Sequence, residues 1–189
     1  PLDGYPDIPG GIEPLRAERG WLTEEALHAL RGLALTHTAI GDLLDEHTSF
    51  AALARRAESV VPVAVDLPAR ITELLNSHGE LRDTASPELL SIRHKISGVE
   101  SEITSRFRIV LRGLVAQEIV EPGTQLAVRG GRTVVPIPSV AKGRLRGVVV
   151  ERSASGQTLF MVPYEILDVE LQLEEYYSQE RAERIRILT

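Results

Sequence analysis

Residues 87–115 read PELLSIRHKISGVESEITSRFRIVLRGLV, and this run decides the fold. Leu89, Ile92, Ile96, Val99, Ile103, Phe107, Val110 and Leu114 recur every three or four positions, the spacing of one face of an α-helix. The seam is narrow and close to a heptad, with one slip after Ile103. At a rise of 1.5 Å per residue such a helix is about 40 Å long. Ser86 suits its cap, Pro87 its first turn, and Glu88 the place where the dipole favours an anion. So long a seam requires a partner helix. Ile166, Val169, Leu173, Tyr177, Ile185 and Leu188 continue the spacing, with Arg181 interrupting it, and predict an antiparallel partner.

Working outward, the stretch between the two helices reads as β. Leu126-Ala127-Val128 and Thr133-Val134-Val135 flank Arg129-Gly130-Gly131-Arg132, a tight hairpin signal. Pro136 and Pro138 are expected to confine the second strand to an edge or a short length. Arg146 to Val150 and Thr158 to Val162 supply two further strands, joined by the polar loop Arg152-Ser153-Ala154-Ser155-Gly156-Gln157.

Residues 1–20 are rich in Pro and Gly and read as loop. Thr23 caps a helix that carries Glu24 and Glu25 in its first turn and keeps helical spacing to about Asp45. A second helix is expected from Ser49 through Phe50, Leu53 and Ala57. A third starts at Asp66 and Pro68 and contains Ile71, Leu74 and Leu75. The fold class is therefore α+β and mostly α. The expected division is a helical core portion over 1–85, an ascending helix over 86–115, a small β tip over 116–164 and a descending helix over 165–189.

The bulk numbers bound this picture. A chain of 189 residues can bury enough surface to fold without staples, and having no cysteine it can form no disulfide or thiolate metal site. That composition fits a reducing cytoplasm. No apolar run approaches the ~20 residues that span a bilayer, so no membrane partner is expected. Pro1 to Gly10 lack a signal-peptide pattern, and with Met161 as the single methionine the chain reads as cut from a longer protein. The net charge is −6, yet residues 125–152 carry six basic side chains against Glu151 alone, a local +5. Such a region can focus a field toward phosphates, or it can be a solvated, edge-protecting strand face.

Catalytic signals are sparse. No Gly-rich run ends in Gly-Lys-Ser/Thr, and Ala141-Lys142-Gly143-Arg144 lacks the hydroxyl and upstream glycine of a phosphate loop. His78-Gly79-Glu80 echoes half of a zinc-deaminase motif without its cysteines, and the five histidines form no His-x-x-x-His pair. Ser139-Val140-Ala141-Lys142 fits Ser-x-x-Lys but shows neither a helix start nor companion motifs. Ser153 and Ser155 have no base in view and read as a self-bonded loop. Glu24/Glu25 and Glu174/Glu175 read as solvated helix faces. No catalytic, cofactor-binding or metal residue is assigned, and the chain itself is expected not to be an enzyme.

Two runs, His78-Gly79-Glu80-Leu81-Arg82-Asp83-Thr84-Ala85-Ser86-Pro87-Glu88-Leu89 and Arg152-Ser153-Ala154-Ser155-Gly156-Gln157-Thr158-Leu159-Phe160, resemble segments of the MutS-two family, bacterial paralogues of the MutS mismatch-repair ATPase. Arg129-Gly130-Gly131-Arg132-Thr133-Val134-Val135-Pro136-Ile137 is similar to the family's Arg-Asn-Gly-Arg-Tyr-Val-x-Pro-Val stretch. The acidic C-terminal helix resembles the family's return helix leading into its ATPase domain. The resemblance is strongest from about residue 78 to 175. Gly130 stands for the family's usual Asn, Pro138 for a common Lys, and Glu170 for a frequent Asn. Arg152 and Gln157 also depart from the common Gln and Ala.

The resemblance implies the core, lever and clamp portion of a DNA-binding ATPase, without the ATPase domain, which uses ATP and Mg, and without the Smr nuclease. Its implied role is sequence-independent engagement of branched DNA, with the long helices as levers transmitting nucleotide state in recombination suppression. Arg129, Arg132, Lys142, Arg144 and Arg146 are the expected phosphate contacts, made without reading bases. The implied partners are DNA, the protein's own ATPase domain, a second copy in the full protein, and stalled ribosomes. The competing expectation is a structural or protein-interaction module without direct DNA binding. The slip after Ile103 and the pair Tyr176/Tyr177 suit helix packing of that kind.

Overall fold

In the computed structural model the described residues are Glu13, 20–46 and 66–189. The helix expected at Ser49–Ala57 and the loop expected over residues 1–20, Glu13 and Gly20 excepted, lie outside them. Among the described residues, four α-helices and a four-stranded antiparallel sheet make a mostly helical α+β fold, as expected. The helices are α1 (Glu24–Glu46), α2 (Leu67–Leu74), α3 (Pro87–Ala116) and α4 (Tyr164–Leu188). The chain forms two compact units, one comprising Pro1–Ser91 with Arg181–Thr189 and the other Ile92–Glu180.

The first unit closes on Ile71, Leu75, Leu81, Leu89 and Leu188, with Leu27 and Leu30 of α1 against them. The Thr23 hydroxyl accepts from the Ala26 amide at 3.2 Å and caps α1. Glu24 departs from the solvated role expected of it. It takes two hydrogen bonds from Arg184, at 3.0 and 2.7 Å, and one from the Leu81 amide at 3.3 Å. At the turn before α3, Asn76 Oδ1 accepts from the amides of His78 and Glu80. Gly79 has φ +84°, and a Cβ there would lie 2.9 Å from the His28 ring, so glycine is required twice over.

Ser86 begins α3 as its sequence predicts. Its hydroxyl accepts from the Leu89 amide at 2.9 Å and donates to Glu183 Oε1 at 2.5 Å. Arg186 donates to both Glu183 oxygens at 2.6 Å. This exposes an error in the expected seam of α4. Tyr177 and Ile185 are each 40% exposed. The inward face runs instead through Ile166, Val169, Leu173, Tyr176, Glu180, Glu183 and Ile187, an unbroken 3-4 alternation. Hydropathy hides it because two of its members are carboxylates, each given a specific partner. Arg93 and Tyr177 likewise bond Glu180 and Glu100, at 2.8 and 2.6 Å.

The second unit carries β1 (Ala127–Arg129), β2 (Arg132–Pro138), β3 (Gly147–Arg152) and β4 (Thr158–Pro163), in the order β1-β2-β4-β3. Gly130 and Gly131, with φ +55° and +76°, make the two-residue hairpin turn in the left-handed region that type I′ demands. β2 corrects the sequence expectation, being seven residues long and lying between two neighbours. Its first half pairs β1 through residues 132–134 and its second half pairs β4 through 135–138. The Ser139 amide bonds the Gln157 carbonyl at 2.8 Å, so by alternation positions 135 and 137 face β4. Pro136 and Pro138 then turn their missing N–H groups toward the side where β1 has already ended. No ladder bond is lost.

The core here joins Phe107 and Leu114 of α3, Val134, Val135 and Ile137 of β2, Leu159, Met161 and Val162 of β4, and Ile166 of α4. Within this unit α3 and α4 run antiparallel, Arg106 meeting the Glu165 carbonyl, Glu100 meeting Tyr177 and Arg93 meeting Glu180. At Gly147, which pairs with Pro163, a Cβ would collide with the Val162 carbonyl.

Three outcomes follow for stability in urea. Ser86→Ala removes the α3 cap and one donor to Glu183 and should cost about 1–3 kcal/mol, and Gly147→Ala about 1–3 kcal/mol through the forced backbone shift. Bonding from Arg186, then from Ser86, lowers the Glu183 pKa from 4.5 to about 2. Its stabilisation is therefore complete above pH 4.5 and lost as pH falls toward 2. Glu183→Gln should lower the urea midpoint at pH 7 and narrow its difference from the parent at pH 3.

Candidate nucleic-acid interface

The five basic residues singled out in the sequence all fall in the second unit, but they divide into two groups. Arg129 and Arg132 face each other as register partners across the hairpin turn. Lys142 and Arg144 lie on a 3-10 segment, Ser139–Arg144, that follows the far end of β2, and Arg146 comes just before β3. From Arg132 to Pro138 the strand spans roughly 20 Å at about 3.3 Å per residue. The sequence cannot show this separation, because the two groups are brought to opposite ends of one strand.

The hairpin pair has partners within the fold. The Arg129 guanidinium stacks 4.5 Å from the Phe160 ring centroid, lies 3.7 Å from Glu151 and donates to its neighbour's carbonyl, that of Val128, at 2.8 Å. Arg132 lies 3.9 Å from Glu170. Burial raises the Glu170 pKa against the lowering effect of Arg132, and its Oε2 has no hydrogen-bond partner. Glu170 thus holds a cation by charge while remaining poorly solvated itself.

The other group is unspent. Lys142 and Arg146 form no ion pair or side-chain hydrogen bond, and Arg144 makes one weak bond, to Gln117 Oε1 at 3.4 Å. All three are exposed. The segment that presents them is built into the core on its inner side, where Ala141 and Leu145 pack against the apolar cluster. The carbonyl of Arg146 accepts the Tyr164 amide at 3.1 Å, which ties the end of the segment to the start of α4. The 3-10 turn starting at Ser139 corrects the expectation that no helix begins there. The Ser139 amide goes to the Gln157 carbonyl.

Sequence reasoning missed two further free cations, Arg108 and Arg112, on the last turns of α3. They rim an open groove with Leu111, Val115 and Pro122. Gln117, which Arg144 reaches, comes immediately after that helix. The legible signal was their i,i+4 spacing off the Phe107–Val110–Leu114 seam. Among the described residues no cluster of His, Asp and Glu could hold a metal ion, and no helix is long and apolar enough to cross a membrane.

No protein-family model matches the chain. Individual relatives do. Endonuclease MutS2 of Halalkalibacterium halodurans is 29% identical over the whole chain, and that of Geobacillus sp. strain WCH70 31% identical over the whole chain. Endonuclease MutS2 of Symbiobacterium thermophilum is 32% identical over 95% of it. The chain matches a MutS2 segment. It spans about a quarter of the length of these relatives, 24% of the first two and 23% of the third. The MutS2-like assignment agrees with the residues that carried the family resemblance.

The Glu170–Arg132 pair yields a test. The folded carboxyl has a raised pKa, so its ionised form costs stability at neutral pH, and that cost disappears as pH falls toward the ordinary value of 4.5. Glu170→Gln should be neutral or slightly stabilising in thermal melts at pH 7. The parent should then gain on the variant as pH falls from 7 to 5.

Proposed function

We propose that this MutS2-like segment is a non-catalytic nucleic-acid clamp, engaging the DNA backbone without reading bases. The observation that carries the reading is the free trio Lys142, Arg144 and Arg146 on a segment anchored to the core. Unpaired guanidinium and ammonium groups on a fixed support release phosphate counterions at little ordering cost. Similarity to proteins called Endonuclease MutS2 makes DNA the first polyanion to test. The division into a core portion over 1–85, levers over 86–115 and 165–189, and a clamp over 116–164 belongs to the same reading. So do transmission of nucleotide state from an ATPase domain in a longer cytoplasmic protein, and recombination suppression on branched DNA.

The structure changes the expected magnitude. Five phosphate contacts would give a slope of log K against log salt near −4.5, whereas three give about −2.7, at about 0.9 per phosphate. Fluorescence anisotropy with duplex DNA between 50 and 200 mM salt should therefore return the shallower slope. Charge reversal of Arg144 and Arg146 together should flatten it further, while Arg129→Gln should change it little. A salt-independent affinity would dismiss the clamp reading.

A second reading, a protein-interaction module, draws on the exposed Leu33, Ile40 and Leu43, which share helical spacing on α1. A second copy of the chain or a ribosomal surface would meet an apolar face there. Light scattering separates the two, a stable dimer that Leu43→Glu dissolves favouring this alternative.

A further inference from the structure

Arg108 and Arg112 are exposed, and neither forms an ion pair or a side-chain hydrogen bond. Among the described residues they are the only charged side chains lining an open groove of about 760 Å³. The floor of that groove is apolar. Leu111 and Val115 line it while packing, half-buried, against the core of the second unit. Its far wall is the turn over 122–124, where Gly123 has φ +92°. The Thr124 amide and hydroxyl both donate to the Glu121 carbonyl, at 3.1 and 2.8 Å, which holds that turn. Ile119 and Val120, buried just before it, tie it to the core. Floor and wall are both anchored, so a ligand would find the groove already formed. Glu118 and Glu121 line a neighbouring groove instead.

Spacing and charge together define what fits. Arg108/Arg112 and Leu111/Val115 are both i,i+4 pairs of α3. The helix therefore presents a row of two cations beside a row of two aliphatic side chains, each row stepping by one turn. Ile109, 59% exposed, lies three and seven positions before Arg112 and Ala116 and adds apolar surface on that face. We infer that this groove docks an acidic amphipathic helix of a partner protein. Its apolar row lies on Leu111, Val115 and Pro122, and its carboxylates, one turn apart, meet Arg108 and Arg112. This site is independent of the clamp reading. Helices that dock in grooves are read through anchors at such spacings. Charges beside an apolar seam select the partner and its orientation, and here they repel a basic helix. A DNA backbone would answer the cations with phosphates and leave the apolar floor uncovered.

The test uses the full 189-residue chain and a fluorescein-labelled, end-blocked helical peptide with a Leu row and a Glu row at i,i+4 spacing. Anisotropy at low salt should show saturable binding by the parent chain. Amide shifts on adding the peptide should concentrate at residues 108–116 and 122–124. A peptide with Lys for Glu, and another with Ser for Leu, should each bind about tenfold more weakly. Arg108→Glu combined with Arg112→Glu should weaken the Glu peptide about tenfold and strengthen the Lys peptide, a reversal that unfolding cannot produce. The slope of log K against log salt for duplex DNA should not change in that variant. No saturable binding of the Glu peptide by the parent would overturn the inference. So would equal binding of the Glu and Ser peptides, or of the Glu peptide by parent and variant. Charge reversal that spares the peptide but flattens the DNA salt slope would overturn it too, and would assign both arginines to the phosphate clamp.

Discussion

One helix serves two cores. The thirty residues of α3 place Leu89 in the apolar cluster of the first unit and Phe107 and Leu114 in that of the second. Neither cluster can form without it, so the 3-4 seam along its length constrains everything packed against it. The return helix α4 answers with Leu188 in one unit and Ile166 in the other. Between those ends its inward face is increasingly polar. Glu180 meets Arg93, and Glu183 meets Ser86 and Arg186. Glu183 is buried and Glu180 partly so, and losing a partner of a buried carboxylate is costly because its charge is then left uncompensated.

The same economy governs charge in the second unit. An aromatic ring and two carboxylates, Phe160, Glu151 and Glu170, occupy Arg129 and Arg132 at the hairpin. Lys142, Arg144 and Arg146 are left to the solvent on a turn held from inside by Ala141 and Leu145. A local +5 counted along the chain is thus smaller in space than in sequence. Three of the unspent cations, Lys142, Arg144 and Arg146, fall within five residues of one another. Preorganisation of that segment, more than the number of cations, is what supports a binding role.

Much of this was legible beforehand. Ser86 as cap, Pro87 in the first turn, the hairpin at Gly130-Gly131 and the strands around the Ser153–Gly156 loop all follow from local rules. Each depends on residues close in sequence. Three features did not follow, for related reasons. Pro136 and Pro138 read as confining their strand to an edge or a short length because their harmlessness depends on where β1 stops. Glu180 and Glu183 were missed as members of the α4 seam because Arg93 and Ser86, which they meet, lie 87 and 97 residues away. Glu24 read as solvated although Arg184, 160 positions on, holds it.

The sequence by itself determined most of the helices and strands, the long seam of α3, the basic stretch and the likeness to MutS2. Periodicity, capping and turn chemistry are short-range and survive in a linear string. Only the tertiary structure decided which cations are free, which carboxylates are buried and which apolar side chains are left facing water. Those properties belong to pairs of groups. Whether a charge is spent or available is settled by what the fold brings within a few ångströms of it.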